Sequence, residues 1–310
     1  MAAKRILLIA NPASGQHRGE RRLAQASERL ASLGHAVTAT LTESAGHATR
    51  LAKSNAPDFE IIAALGGDGT VNEVANGLMA VEPGERPTLA TLPVGTGNDV
   101  ALTYGLAHFE SAIDALAKGS TRTLDVIRVQ LMRDGKSVTR HALLFVAAGF
   151  AAEVIRKTGP RVKRIFGRRF SYSVGLFRAL ASFRAPEFSV KWDGGERSGR
   201  MFQVCAGNTE FAAGGVMRIS PGARPDDGLL NISLVDALGR LQIVRRFPSI
   251  LSGRYVEDER VDYFTGKRLE IDAVPPAEFQ ADGDIIGTTP ATIELLPGAL
   301  KLVVHDQFQV

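Results

Sequence analysis

The sequence predicts an α/β protein of two domains. A parallel sheet flanked by helices covers residues 1–127, a mostly antiparallel β domain covers 128–300, and 301–310 return to the first sheet. Three observations carry that expectation. The first third alternates short, wholly apolar runs with segments of helical periodicity, which is the pattern of βαβ units. Beyond about Thr121 apolar residues recur at every second position between turn dipeptides such as DG and GG, which is the pattern of antiparallel strands. At 310 residues the chain is long enough to bury two cores.

The elements follow in order. "RILLIA" and "FEIIAAL" read as buried strands, with "HAVTATL" between them and "PTLATLPV" after. Leu23, Ala26, Leu30 and Leu33 mark one face of the first helix. Val71, Val74, Ala75, Leu78 and Met79 recur at i, i+3, i+4, i+7 and i+8 along the helix after the third strand. Thr70 and Glu73 fit a capping box that would start that helix. In the second domain "TLDVIRVQLM", "HALLFVAA", "FSVKW", "MFQVCA" and "LLNISLV" read as strands. One helical interruption falls over about 151–184, and "ALKLVVH" closes the chain as a strand.

Composition narrows the function classes. With 45% hydrophobic and 23% charged residues and no apolar run approaching a membrane span, the chain does not read as an integral membrane protein. The apolar stretch Ile6–Ala10 is too short for a signal peptide, and Asn11 and Pro12 end it. A single cysteine, Cys205, rules out an intramolecular disulfide, and no Cys or His cluster has zinc-like spacing, so a reducing cytoplasm is expected. The net charge of +4 suggests an anionic partner without choosing among nucleotide, nucleic acid and lipid headgroup.

Four strand-to-helix turns share one chemistry: "NPASG" (11–15), "TESAGHA" (42–48), "GGDGTVN" (66–72) and "PVGTGND" (93–99). All are small or hydroxylated. Such turns gather at the carboxyl ends of parallel strands, where glycines let backbone N–H groups approach an anion. Asn72 stands where the dinucleotide fingerprint needs its third glycine, and no G-K-[ST] is present, so neither familiar nucleotide motif applies. Asp68 sits in the middle of the third turn. A carboxylate beside phosphate is tolerable when a divalent cation stands between them, and magnesium is held by one or two carboxylates together with phosphate oxygens. The competing reading makes Asp68 an ordinary turn residue.

"GGDGTVNEVANGL", followed by "LPVGTGNDVA", preceded by "NPASG" and followed near the end by "FQADGD", resembles the diacylglycerol-kinase catalytic-domain family of bacterial lipid kinases. The resemblance spans nearly the whole chain. It implies a nucleotide-binding first domain like that of NAD kinases and phosphofructokinases, a second domain that is a β-sandwich, and ATP-dependent phosphorylation of a lipid hydroxyl between them. It puts nucleotide binding on Asn11, Thr42, Gly66, Gly67, Asp68, Gly69, Thr70, Val71, Asn72 and Thr96, and a magnesium network on Asp68, Asp99 and Asp125. "RPDDGLL" matches a second, structural magnesium loop with Asp227 and the carbonyls of Arg224 and Leu229 as ligands. The family's general base falls in a D-G-E motif that reads Asp282, Gly283, Asp284 here, which assigns the base to Asp284 with Asp68 as competitor.

Two departures accompany the match. Aspartate for glutamate shortens the reach of the base by one methylene, and Gln16 and Leu102 stand where many relatives carry a basic residue; Arg18 is the nearest replacement. Between Arg156 and Arg169 seven basic residues occur without an acid, and Phe166, Phe170, Val174, Phe177 and Leu180 follow at helical spacing. Two readings fit the stretch 156–184: peripheral contact with an anionic membrane at the cytoplasmic face, or a helix packed on the β domain with its charges solvated. No nucleic-acid motif surrounds it, so a nucleic-acid partner is not expected. The resemblance permits a homodimer. Rival functions are a soluble kinase of the NAD-kinase type and a noncatalytic nucleotide- or lipid-binding relative.

Overall fold

The computed structural model describes residues 3–15, 18–95, 97–159 and 174–306. The first four strands, β1 (Arg5–Ala10), β2 (Ala36–Leu41), β3 (Ile61–Gly66) and β4 (Thr88–Pro93), pair in parallel in the order β2-β1-β3-β4. Side chains alternate across a strand, so each apolar run serves two cores. Ile6, Leu8 and Ala10 pack with Leu23, Ala26 and Leu30 of α1 (Gly19–Ser32) and with Ile113 and Leu116 of α5 (Phe109–Lys118). Leu7 and Ile9 pack with Ala48 and Ala52 of α2 (His47–Asn55) and with Val71, Val74 and Leu78 of α3 (Asp68–Met79). Short α4 (Asp99–Thr103) follows β4. Leu33, expected on the buried face of α1, is instead 44% exposed, because the helix ends at Ser32 and Leu33 forms its C-cap.

The second domain is built from β5 (Thr121–Arg133) through β16 (Asp284–Val303). Two long strands make its corners. β9 (Gly195–Gly207) pairs with β8 (Glu187–Trp192) along residues 195–200, then with β7 (Phe145–Gly149) and β12 (Leu230–Asp236) along 201–207. β16 pairs with β15 (Glu278–Ala281), then β14 (Arg268–Val274), and runs beside β5 over most of its length. Strands that pass from one sheet to the other close a sandwich around one core, which here holds Val129, Val146, Phe188, Val204, Ile232, Ile271, Phe279 and Ile293. β6 (Lys136–Ala142) and β13 (Val261–Gly266) lie at the edges, and β10 (Phe211–Ala212) with β11 (Met217–Arg218) forms a separate hairpin. The end of β16 reaches back to the first sheet, where Leu302 pairs in parallel with Leu89.

Two sequence expectations need correction here. "HALLFVAA" is not one strand. It breaks between β6 and β7 because Leu143 and Leu144 leave the ladder and bury their side chains against the α3 core, while their N–H groups donate to Asp282. The helical interruption consists of α6 (Phe150–Lys157) and α7 (174–182); residues 160–173, with most of the basic stretch, lie outside the described residues. Helix α8 (Arg240–Ser252) follows β12.

Candidate active site

The turns after β1, β3 and β4 pack so closely that side chains do not fit between them. An alanine methyl at Gly15, which has φ +60°, would lie 2.5 Å from the Val94 carbonyl oxygen. One at Gly95 would lie 2.9 Å from Gly67 Cα and 2.8 Å from Asn98 Oδ1, and one at Gly66 would collide with the Thr70 side chain. The sheet fixes this convergence: Asn11 N–H donates to the Leu65 carbonyl, and Val94 N–H donates to that of Gly66. The result is a surface of bare backbone at the head of α3, whose N-cap, Gly67, makes no side-chain capping bond. The expected capping box is absent. Glu73 instead accepts N–H bonds from Gly46 (2.8 Å) and Ala48 (3.1 Å), fastening the second turn to α3.

The structure places the predicted residues as follows. Asn11 Oδ1 accepts from Ala13 N–H at 3.0 Å, and Thr42 N–H donates to the Ala10 carbonyl. Gly66, Gly67, Asp68, Gly69 and Thr70 line the head of α3, whereas Val71 points into the core. Asn72 Nδ2 turns to the second domain and donates to Asp282 Oδ2 at 3.1 Å. Gln16, His17 and Thr96 lie outside the described residues. Arg18 stays at the first turn, its Nε donating to the Gly15 carbonyl at 2.8 Å.

Asp68 and Asp99 face each other across the third and fourth turns. Asp68 Oδ1 accepts from Val100 N–H at 3.1 Å. Asp99 accepts from Ala213 N–H at 3.1 Å and from Gly214 N–H, in a loop where Ala213, Gly214 and Gly215 all have positive φ. Burial first, and the Asp68 charge second, raise the Asp99 carboxyl above its ordinary value. A buried carboxyl raised in part by a neighbouring carboxylate's charge suits an added cation. Among the described residues no group of three His, Cys, Asp or Glu side chains could hold a metal by themselves. Asp68 and Asp99 could hold magnesium completed by phosphate oxygens and water, and the bare turns could receive a polyphosphate.

The opposite wall carries the "DGD" turn. Asp284 opens β16 and is exposed, and a methyl at Gly69 would lie 3.9 Å from its Oδ2. Asp282, with φ 46°, is its anchor: the carboxylate accepts from Leu143 N–H (2.7 Å), Leu144 N–H (3.0 Å), Phe145 N–H (3.1 Å) and Asn72 Nδ2. Burial pushes the Asp282 carboxyl up to about 6 against the pull of those donors. The sequence reading gave Asp282 no role. Its only local signal is a DG turn, and its partners lie far away in the chain.

Asp125 is held by other segments than Asp68 and Asp99 are. It is buried, and its two oxygens accept from Gly228 N–H and Gly298 N–H, each at 2.7 Å, fixing the "RPDDGLL" loop against β16. In that loop Asp227 Oδ1 accepts from Leu229 N–H at 2.9 Å, and the Arg224 guanidinium pairs with Asp226 at 3.5 Å. Cys205 is buried, and burial pushes its thiol up to about 12. No described helix is long and apolar enough to cross a membrane.

A family model described as the diacylglycerol kinase catalytic domain matches residues 5–129, and one described as the YegS C-terminal NAD kinase beta sandwich-like domain matches 144–304. The chain belongs to the diacylglycerol-kinase family. It is 28% identical over 292 residues to the diacylglycerol kinase of Bacillus subtilis (strain 168), covering 93% of this chain and 92% of that one. It is likewise 28% identical over 290 residues to the diacylglycerol kinase of Staphylococcus aureus (strain MRSA252), covering 93% and 88%. A solved diacylglycerol kinase structure from Bacillus anthracis str. Sterne superposes with a TM-score of 0.75 at 25% identity, covering 99% of this chain and 98% of that one. Another from the same organism, described as a candidate diacylglycerol kinase, gives 0.80 at 28% identity, covering 98% and 96%. The chain is accordingly a two-domain lipid kinase with the α/β plus β-sandwich architecture expected from its sequence.

Proposed function

We propose that the chain transfers the γ-phosphoryl group of ATP, with magnesium, to the free hydroxyl of diacylglycerol or a closely related lipid, and that Asp284 is the general base. The observation that carries this reading is the meeting of Asp284 with Gly69, which puts an exposed carboxylate from the second domain at the head of the phosphate-sized backbone surface. Bound MgATP supplies the phosphoryl group, and the metal offsets its charge. The chain's own part is to hold, orient and accept a proton, since phosphoryl transfer depends mainly on positioning and electrostatics.

In this proposal Asn11, Thr42, the turn Gly66–Asn72 and Thr96 hold the nucleotide. Asp68, Asp99 and Asp125 organise magnesium, and Asp227 with the carbonyls of Arg224 and Leu229 holds a second, structural magnesium. Asp68, one of whose oxygens accepts the Val100 N–H, is the competing candidate for base. The division of labour falls between residues 1–127, with 301–310, and residues 128–300. Work is done at the cytoplasmic face of an anionic membrane, with segment 156–184 on the membrane side. Relatives named diacylglycerol kinase over more than nine-tenths of this chain support the choice of lipid.

The test is transfer from labelled ATP, with magnesium, to dioctanoylglycerol, a monoacylglycerol, sphingosine and NAD offered separately. Phosphorylated dioctanoylglycerol is expected as the major product. Phosphorylated NAD in its place, or transfer to none of the lipids, contradicts the proposal.

A further inference from the structure

Three of the nine large exposed apolar side chains among the described residues, Phe177, Leu241 and Val244, lie on two neighbouring helices of the second domain. Along α8, Leu241, Val244, Arg245 and Pro248 are all exposed and fall at i, i+3, i+4 and i+7, so they form one outward stripe. Leu241 is 75% exposed and Val244 55%, while Ile243, on the other side, is buried. An ordinary surface helix confines its apolar stripe to the core side and meets water with a charged face, whereas α8 adds apolar residues on its outer side as well. On α7 the inward residues Leu176, Ala179 and Leu180 pack with Ile243 in a single cluster, and Phe177 points away from it at 69% exposure. The two helices are tied where Arg240 donates to the Ala181 carbonyl at 2.7 Å, which sets the Leu241 end of α8 beside the α7 turn after Phe177.

Charge tells what covers this face. Arg178, Arg184, Arg240 and Arg245 are exposed on it, and residues 174–186 and 237–252 contain no acid. None of these four arginines makes an ion pair among the described residues, whereas Arg246, on the inner side of α8, pairs with Asp258 at 2.6 Å. A second copy would set arginines against arginines. Apolar side chains rimmed by unpaired cations fit the boundary between acyl chains and anionic headgroups.

We infer that the outward face of α7 and α8, through Phe177, Leu241 and Val244 with Arg178 and Arg245, seats the protein on an anionic lipid bilayer. The inference rests on the proposed lipid substrate and adds the surface by which the chain reaches it. The apolar residues enter the interface, and the arginines set the preference for negative lipid.

Flotation with vesicles of phosphatidylcholine alone, or of equal parts phosphatidylcholine and phosphatidylglycerol, tests it on the full chain. Wild type is expected to float with the mixed vesicles only, and less so at high salt. The pairs Leu241→Ser with Val244→Ser, and Arg178→Glu with Arg245→Glu, are each expected to lose about tenfold or more in vesicle affinity. Both should keep the wild-type circular dichroism and the wild-type turnover of micelle-free dioctanoylglycerol. Wild-type flotation with neutral vesicles alone, unchanged flotation of both pairs, or a shift from dimer to monomer in the pairs with flotation intact would overturn the inference. A wild type that floats as expected but leaves dioctanoylglycerol unphosphorylated strikes the proposed substrate and not the surface.

Discussion

On the first-domain side of the site the working surface is backbone, made by glycines of three turns that the sheet packs against one another. On the second-domain side it is carboxylate. Asp282 is held by N–H groups from residues 143–145 and Asn72, and the second domain returns the favour by holding Asp99 with Ala213 and Gly214. The two walls are tied across the domain joint by Asn72 on Asp282 and by the 213–214 loop on Asp99.

The contrast predicts a ranking of damage. Asp282→Ala leaves three backbone donors without their acceptor and Asn72 with only the His141 carbonyl, and should cost about 3–5 kcal/mol in urea unfolding. A loss below about 1 kcal/mol would show that the joint does not depend on this carboxylate. The same group gives a pH signature. Its folded-state pKa is raised from 3.8 to about 6, so the folded chain binds its proton more tightly than the unfolded chain does. Its contribution to stability is full below about pH 4 and declines as pH rises to about 6. Subtracting the unfolding curve of Asp282→Asn, which cannot titrate there, should isolate that decline; a difference rising with pH contradicts it.

Gly95→Ala comes next. Its methyl meets Gly67 Cα and Asn98 Oδ1, and overpacking of this kind costs about 1–3 kcal/mol. Calorimetry should also show weaker ATP uptake, while unaltered uptake would detach the bare turns from nucleotide binding. Asp99→Asn keeps one acceptor for the Ala213–Gly214 loop and should cost only about 1 kcal/mol, with a larger magnesium requirement in the kinase assay. Arg224→Ala removes a surface ion pair and should stay within about 0.5 kcal/mol of wild type. If the proposed structural magnesium is present, chelation lowers the melting temperature of wild type and Arg224→Ala but not that of Asp227→Ala.

What the sequence made legible follows the same line. The parallel strands, α3 and the four turns were readable because each is specified by periodicity or by glycine within a few residues. Glu73 was misread because its partners belong to a different turn, and a carboxylate three residues after a threonine looks like a capping box until the second turn is placed beside it. Leu143 and Leu144 extended an apolar run that looked like strand, although their side chains join the first domain's core and their N–H groups serve Asp282. The corner-turning of β9 and β16 left no periodic trace, since both halves of each strand alternate alike. Asp284 was singled out by its motif alone, whereas the anchor two residues before it became visible only with the fold.

The most direct test is Asp284→Asn in the kinase assay, with ATP affinity and unfolding measured on the same preparation. If Asp284 accepts the hydroxyl proton as proposed and does not hold the nucleotide, kcat falls by about 10²- to 10⁴-fold while ATP affinity and stability stay at wild-type values. Near-normal turnover from that variant would contradict the account and hand the proton to Asp68.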